Sequence, residues 1–145
     1  MNPKVLVTGA TGYIGGRLVP KLLDAGYSVK VLVRDPDRVL GRAWADKVEI
    51  VSGNVLDPAT LEMAMDDVFV AYYLIHSMGS GQDFHQRDID GARNFGRQAK
   101  KQNVHRIIYL GGLGEPDTNL SKHLTSRHET GEELRASGVP VTEFR

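Results

Sequence analysis

The chain has 145 residues and a mass of 16.0 kDa, with 41% hydrophobic and 25% charged residues, so it is long and apolar enough for one domain with its own core. Lys and Arg number 18 and Asp and Glu number 18; the zero net charge leaves no basic field for nonspecific nucleic-acid or membrane binding. The absence of cysteine excludes disulfides, thiolate zinc sites and cysteine nucleophiles and fits a reducing cytoplasm, and the lack of any long apolar run leads us to expect a soluble protein.

Apolar runs alternate with helix-like segments from end to end. Val5-Leu6-Val7 reads as a short buried strand ended by Thr8-Gly9. Tyr13 to Asp24 reads as a helix, with Ile14, Leu18 and Leu22 four residues apart. Pro20 lies inside it, where it removes one backbone bond; Gly16 relieves crowding in that turn, so a bend is expected. Val29 to Val33 is a second strand, and Asp35-Pro36 reads as a cap followed by a first-turn proline, opening a short helix to about Ala45. Trp44 is expected to pack that helix on the sheet. Val48 to Val51 is a third strand. Asp57-Pro58 repeats the cap-and-proline device and opens a helix through Met65.

Val68 to Ile75 is apolar throughout, the mark of a strand covered on both faces, and its Tyr72 and Tyr73 read as core aromatics. A helix from about Asp83 to Lys101 follows, with Ile89, Ala92, Phe95 and Ala99 on its inner stripe. Arg106 to Leu110 is a fifth strand, Ser121 to Ala136 a further helix, and Val141 to Phe144 a sixth strand. Such alternation predicts an α/β fold in which a doubly wound parallel sheet has the strand order 3-2-1-4-5-6. Ligands of such sheets bind at the carboxyl ends of the strands, where the order reverses between strands one and four.

Gly9-Ala10-Thr11-Gly12-Tyr13-Ile14-Gly15-Gly16 sits at that point, directly after the first strand and opening the first helix. Gly9 permits the tight turn, Gly12 lets backbone approach a diphosphate, and Gly15 permits close helix–strand packing. The helix amides and dipole then favour two phosphates. Together with Gly53-Asn54-Val55-Leu56-Asp57 downstream, this GxxGxxG spacing resembles the short-chain dehydrogenase/reductase superfamily. The atypical and extended members, including NmrA-like NAD(P)H-binding proteins, are the most similar. The resemblance covers residues 1–145 and implies a single Rossmann domain with Gly9, Thr11, Gly12, Tyr13, Ile14 and Gly15 at the cofactor.

At the end of strand two an acid favours NAD, whereas this chain has Arg34, whose guanidinium suits a 2′-phosphate. NADP(H) is therefore expected over NAD(H), with Asp35 explained as the helix cap. Where the superfamily presents Asp-Val or Asp-Leu to adenine, this chain has Asn54-Val55; Asn54 either offers adenine an acceptor or stabilises its own turn. Leu74 and His76 fall where the superfamily lines the nicotinamide-side ribose, and His76 either contacts ligand or closes the strand end.

Catalysis in the resembling enzymes rests on a serine after strand five and a Tyr-x-x-x-Lys pair on the next helix. Here the serine position is glycine, in Tyr109-Leu110-Gly111-Gly112, and no tyrosine follows Tyr109. In the register of Ser126-Arg127-His128-Glu129, the pair becomes His123-x-x-x-Arg127, on one helical face. Arg127 can bind ribose or phosphate but keeps its proton, while His123 can act near neutral pH. Either the two assist proton transfer or they are ordinary polar residues beside a cofactor. His85 and His105 lack ligand spacing, so no metal is expected. Lys100, Lys101 and Arg106 read as a solvated helix end.

The resembling proteins build much of their substrate pocket after strand six, where this sequence ends. The expectation is therefore an apparently truncated domain, or one whose exposed flank favours a homo-oligomer. Two functions follow. One is an NADP(H)-dependent oxidoreductase acting on a small carbonyl or enone. The alternative is a noncatalytic dinucleotide-binding redox sensor or assembly factor, or a fragment lacking its substrate region.

Overall fold

The computed structural model describes residues 3–75, 83–111 and 122–145, with side chains from 125 onward in the last stretch. Six strands alternate with helices: β1 (Lys4–Thr8), α1 (Tyr13–Asp24), β2 (Ser28–Val33), α2 (Asp37–Leu40), β3 (Glu49–Ser52), α3 (Pro58–Met65), β4 (Val70–Tyr73), α4 (Asp83–Lys101), β5 (Arg106–Leu110), α5 (Lys122–Ala136) and β6 (Val141–Phe144). The sheet order is β3-β2-β1-β4-β5-β6, with every pairing parallel, as the alternation predicts. The order reverses between β1 and β4, which opens a crevice above the carboxyl end of β1.

Strand periodicity sorts the core into two layers. Val5 and Val7 of β1 join Val29, Val31 and Val33 of β2 under Val19, Leu22, Val39 and Trp44. Leu6 points the other way, into a layer with Tyr73, Phe95, Ile107, Tyr109 and Leu134. Side chains two apart share a face, so a strand buried on both sides reads as an unbroken apolar run. The inner stripe of α4 is buried as its spacing predicts: Ile89, Ala92, Phe95 and Ala99.

Lys30 breaks the apolar run of β2 and is only 3% exposed. Its ammonium donates to the carbonyls of Met63 at 2.9 Å and Asp66 at 3.2 Å, at the carboxyl end of α3, and pairs with Glu49 at 3.2 Å. A buried cation thus satisfies helix-end carbonyls that would otherwise lack donors.

Two element boundaries differ from expectation. The helix after Asp35 ends at Leu40, not near Ala45: Gly41 closes it, and the chain continues in i→i+3 turns, Ala45–Lys47 forming a short 3-10 segment. Those turns bring Trp44 onto the sheet, where it is buried. Pro36 takes the N-cap position of α2 without a side-chain cap, and Asp35 just before it accepts from the Asp37 amide at 3.1 Å. The fourth strand spans Val70–Tyr73, narrower than the apolar run Val68–Ile75. Val68 closes a turn onto Met65; past Tyr73, Leu74 still donates to the Thr8 carbonyl at 3.3 Å, and Leu74 and Ile75 line the crevice. Helix α1 runs unbroken through Pro20.

Candidate functional site: a groove over the first crossover

A groove of about 550 Å³ follows the carboxyl ends of the strands. It is of the size that holds small-molecule cofactors. Gly9, Ala10, Thr11 and Gly12 form its middle; Leu32, Val33, Arg34, Gly53, Asn54, Val55 and Leu56 form the β2–β3 side; Tyr73, Leu74, Ile75, Arg87 and Asp88 complete it.

The middle is shaped by glycine. Gly9 has φ +86°, in the left-handed region, and a Cβ there would lie 2.8 Å from the Leu74 carbonyl. A Cβ on Gly15 would lie 2.1 Å from the Gly9 carbonyl oxygen, so Gly15 serves packing and does not line the groove. A Cβ on Gly12 would meet only that same oxygen, at 3.3 Å, so its absence keeps the groove wall bare. No side chain caps α1 and no acidic residue lies in its first turn, which leaves the amides and the positive helix end to an anion. Arg42 buttresses this turn by donating to the Thr11 carbonyl at 3.0 Å. Its sequence position, eight residues beyond Arg34, carried no signal for that contact, because the reach depends on α2 ending early.

Arg34 is exposed and lines the β2 side of the groove, beyond Val33. Asn54 holds its own turn: its carboxamide oxygen accepts from the Leu56 amide at 2.9 Å. Thr60 supports the same loop by accepting from the Asn54 amide at 3.0 Å, and Asn94 of α4 donates to the Val55 carbonyl at 3.0 Å. Tyr13 is 72% exposed, with the Arg17 guanidinium 3.7 Å from its ring centre, and neither Tyr13 nor Ile14 lines the groove through its side chain. Leu74 lines it; His76 and the side chain of His123 lie outside the described residues.

Arg127 is half-buried and is not a lining residue; its carbonyl accepts from the Tyr109 hydroxyl at 2.8 Å. Two further residues, not apparent in the sequence, stand out beside it. Asp88 of α4 lines the groove and accepts at Oδ2 from the Ser126 hydroxyl at 2.8 Å. Ser126 is 1% exposed, and its carbonyl accepts from Thr130 at 2.7 Å. Burial, reinforced by the Asp88 carboxylate, pushes the Tyr73 hydroxyl well above the usual tyrosine range. Burial, with Glu143, does the same to Tyr109. Both phenols therefore stay protonated and act only as neutral hydrogen-bonding groups. Among the described residues no cluster of His, Asp and Glu could hold a metal, and no helix is long and apolar enough to cross a membrane.

Parallel topology, a bare glycine turn at the reversal point and an uncapped helix end define a Rossmann-type dinucleotide-binding domain. A family model described as NAD(P)H-binding matches residues 9–145, so the chain belongs to this NAD(P)H-binding family, within the short-chain dehydrogenase/reductase superfamily. It is 29% identical over 142 residues to a (4-alkanoyl-5-oxo-2,5-dihydrofuran-3-yl)methyl phosphate reductase of Streptomyces griseus, covering 97% of this chain and 46% of that protein. It is 30% identical over 137 residues to a ceramide reductase of Caulobacter vibrioides, covering 92% and 42%. The Escherichia coli NADPH-dependent quinone oxidoreductase QOR2, solved with NADPH, superposes with a TM-score of 0.80 at 26% identity, over 97% of this chain and 48% of that one. The chain thus spans about half the length of the relatives it matches.

Proposed function

We propose that this chain is the cofactor domain of an NADP(H)-dependent reductase of the short-chain type, acting on a small carbonyl or enone. The observation that carries this reading is the groove itself, which runs from Arg34 past the bare glycine turn to Leu74, Ile75 and Asp88. In it the α1 amides hold the diphosphate, Arg34 pairs with the 2′-phosphate, and the 53–56 loop lies against adenine. The bound dinucleotide supplies a hydride; the protein's part is to position it and to exclude water around Leu74 and Ile75.

Fluorescence titration with NADPH and NADH tests the cofactor assignment. Arg34→Ala is expected to weaken NADPH by about 1–3 kcal/mol, the value of a charge-assisted bond, and to leave NADH nearly unchanged. Equal losses for both would remove the 2′-phosphate role.

A second reading, a noncatalytic dinucleotide-binding protein, is favoured by Gly111 at the serine position and by the two buried tyrosines that keep their protons. His123 and Arg127 are then cofactor neighbours and not a proton-transfer pair. Tight NADPH binding with no oxidation over a panel of carbonyls, and no effect of His123→Ala, selects this reading. A cytoplasmic setting and an NmrA-like affiliation belong to both readings, and so does self-association, supported by Phe144, 59% exposed on the edge strand β6.

A further inference from the structure

Two residues of α4, Arg87 and Asp88, line the groove from the face of the sheet opposite α1 and α2. Helical spacing sends them in different directions. Asp88 shares its stripe with Ala92, Phe95 and Ala99, all buried, and its carboxylate meets Ser126 of α5. Arg87 shares its stripe with Gly91 and Asn94, three and four residues being the spacings that repeat a helical face. That stripe faces the loop after β3. A Cβ on Gly91 would lie 2.8 Å from Val55 Cγ2, and Asn94 donates to the Val55 carbonyl at 3.0 Å. Arg87 stands one helical turn, about 5.4 Å, nearer the amino end of α4, and helical side chains lean that way. The stripe therefore carries Arg87 over the 53–56 loop, whereas Asp88 looks toward α5.

What Arg87 offers there is a flat surface and not an unbalanced charge. With Asp88 beside it, the α4 wall has no net charge with which to draw a phosphate. A guanidinium is planar, delocalised and weakly hydrated, and it stacks on π faces. The rest of this side of the groove gives a base aliphatic contact only, from Leu32, Val33, Val55 and Leu56. Tyr73, the aromatic ring among the described lining residues, is 1% exposed. The Asn54 carboxamide oxygen is already committed to the Leu56 amide. Arg87, exposed and lining the groove, is the planar group positioned to cover a ring held by that loop. We propose that Arg87 stacks its guanidinium on the adenine of the cofactor and encloses the base between α4 and the 53–56 loop. This rests on the dinucleotide reading above and gives α4 a share in holding the adenine half.

Three ligands separate stacking from a charge contact: NADPH, NADH, which lacks the 2′-phosphate, and 2′,5′-ADP, which keeps the adenine and the 2′-phosphate but has neither diphosphate nor nicotinamide. Calorimetric titration of Arg87→Ala is expected to show about three- to tenfold weaker binding of all three, with an unchanged melting temperature because the side chain is exposed. Arg87→Lys keeps the charge but not the plane, and is expected to lose nearly as much with the same ligand pattern. Full affinity in Arg87→Lys would show a charge effect and overturn the proposal. Loss for NADPH and 2′,5′-ADP with NADH unchanged would place Arg87 on the 2′-phosphate and overturn it. Loss for NADPH and NADH with 2′,5′-ADP unchanged would place it on the diphosphate or the nicotinamide half and also overturn it. If the unaltered protein bound none of the three, the dinucleotide reading itself would fail; if it bound them and Arg87→Ala changed nothing, only the stacking contact would fail.

Discussion

Two places in this sheet use glycine to make space, and they use the space differently. At the first crossover, Gly12 leaves a bare wall along the groove, and no side chain of the protein caps the helix end behind it. At the last crossover, Gly111 and Gly131 leave space that the protein fills itself. A Cβ on Gly111 would lie 2.5 Å from one oxygen of Glu143, and a Cβ on Gly131 would lie 2.8 Å from the other. Glu143 is held there by Arg135 at 2.7 Å and Arg145 at 2.8 Å. A glycine motif therefore marks a ligand site only where the protein supplies nothing of its own to the vacated volume. The start of α3 makes the same point through a cap: Asp57 accepts from the Ala59 amide at 3.1 Å, so that helix end is already satisfied.

The sharpest break of this comparison lies within the first crossover. Gly15→Ala drives a Cβ into backbone and is expected to cost about 3 kcal/mol or more in a urea titration. Gly12→Ala meets only one oxygen at 3.3 Å and is expected to keep the melting temperature while weakening dinucleotide binding at least about tenfold, or ~1.4 kcal/mol. If both variants lost stability alike, the groove wall would be a structural turn and nothing more.

The last crossover responds to acid instead. Burial raises the Glu143 pKa, but hydrogen bonds from Arg135 and Arg145 outweigh this and hold it below the ordinary 4.5. The folded state thus binds this proton more weakly than the unfolded chain. The stability it contributes is present above the unfolded pKa and is lost as pH falls through the lowered folded value. Urea midpoints followed from neutral to acidic pH should fall less steeply in Glu143→Gln than in the unaltered protein, with NADPH affinity at neutral pH the same in both. The smallest effect belongs to the capped turn: Asp57→Ala is expected to cost about 1 kcal/mol and leave the dinucleotide dissociation constant unchanged.

Much of this architecture is legible in local patterns. Cap-plus-proline pairs, period-four stripes and continuous apolar runs place all six strands and the major helices, because each signal is a short-range consequence of backbone geometry. The glycine turn is equally legible, since its steric demands are met within a few residues. The contacts that complete the groove are not. Asp88 and Ser126 lie 38 residues apart and meet only because α4 and α5 pack side by side over β4 and β5. Arg42 reaches Thr11 only because Gly41 stops α2 early. Asn54 shows the complementary limit: its amide suits adenine or its own loop equally well in sequence, and the fold commits its oxygen to Leu56.

The Arg42 strut links the second crossover to the glycine turn. The crossover from β2 to β3 carries both Arg34, proposed above to meet the 2′-phosphate, and Arg42, the brace behind the glycine turn. Transplanting that whole crossover from an NAD-selective homologue would remove the brace along with Arg34. Recoding coenzyme choice in this scaffold therefore calls for a point exchange at Arg34 that leaves Arg42 in place.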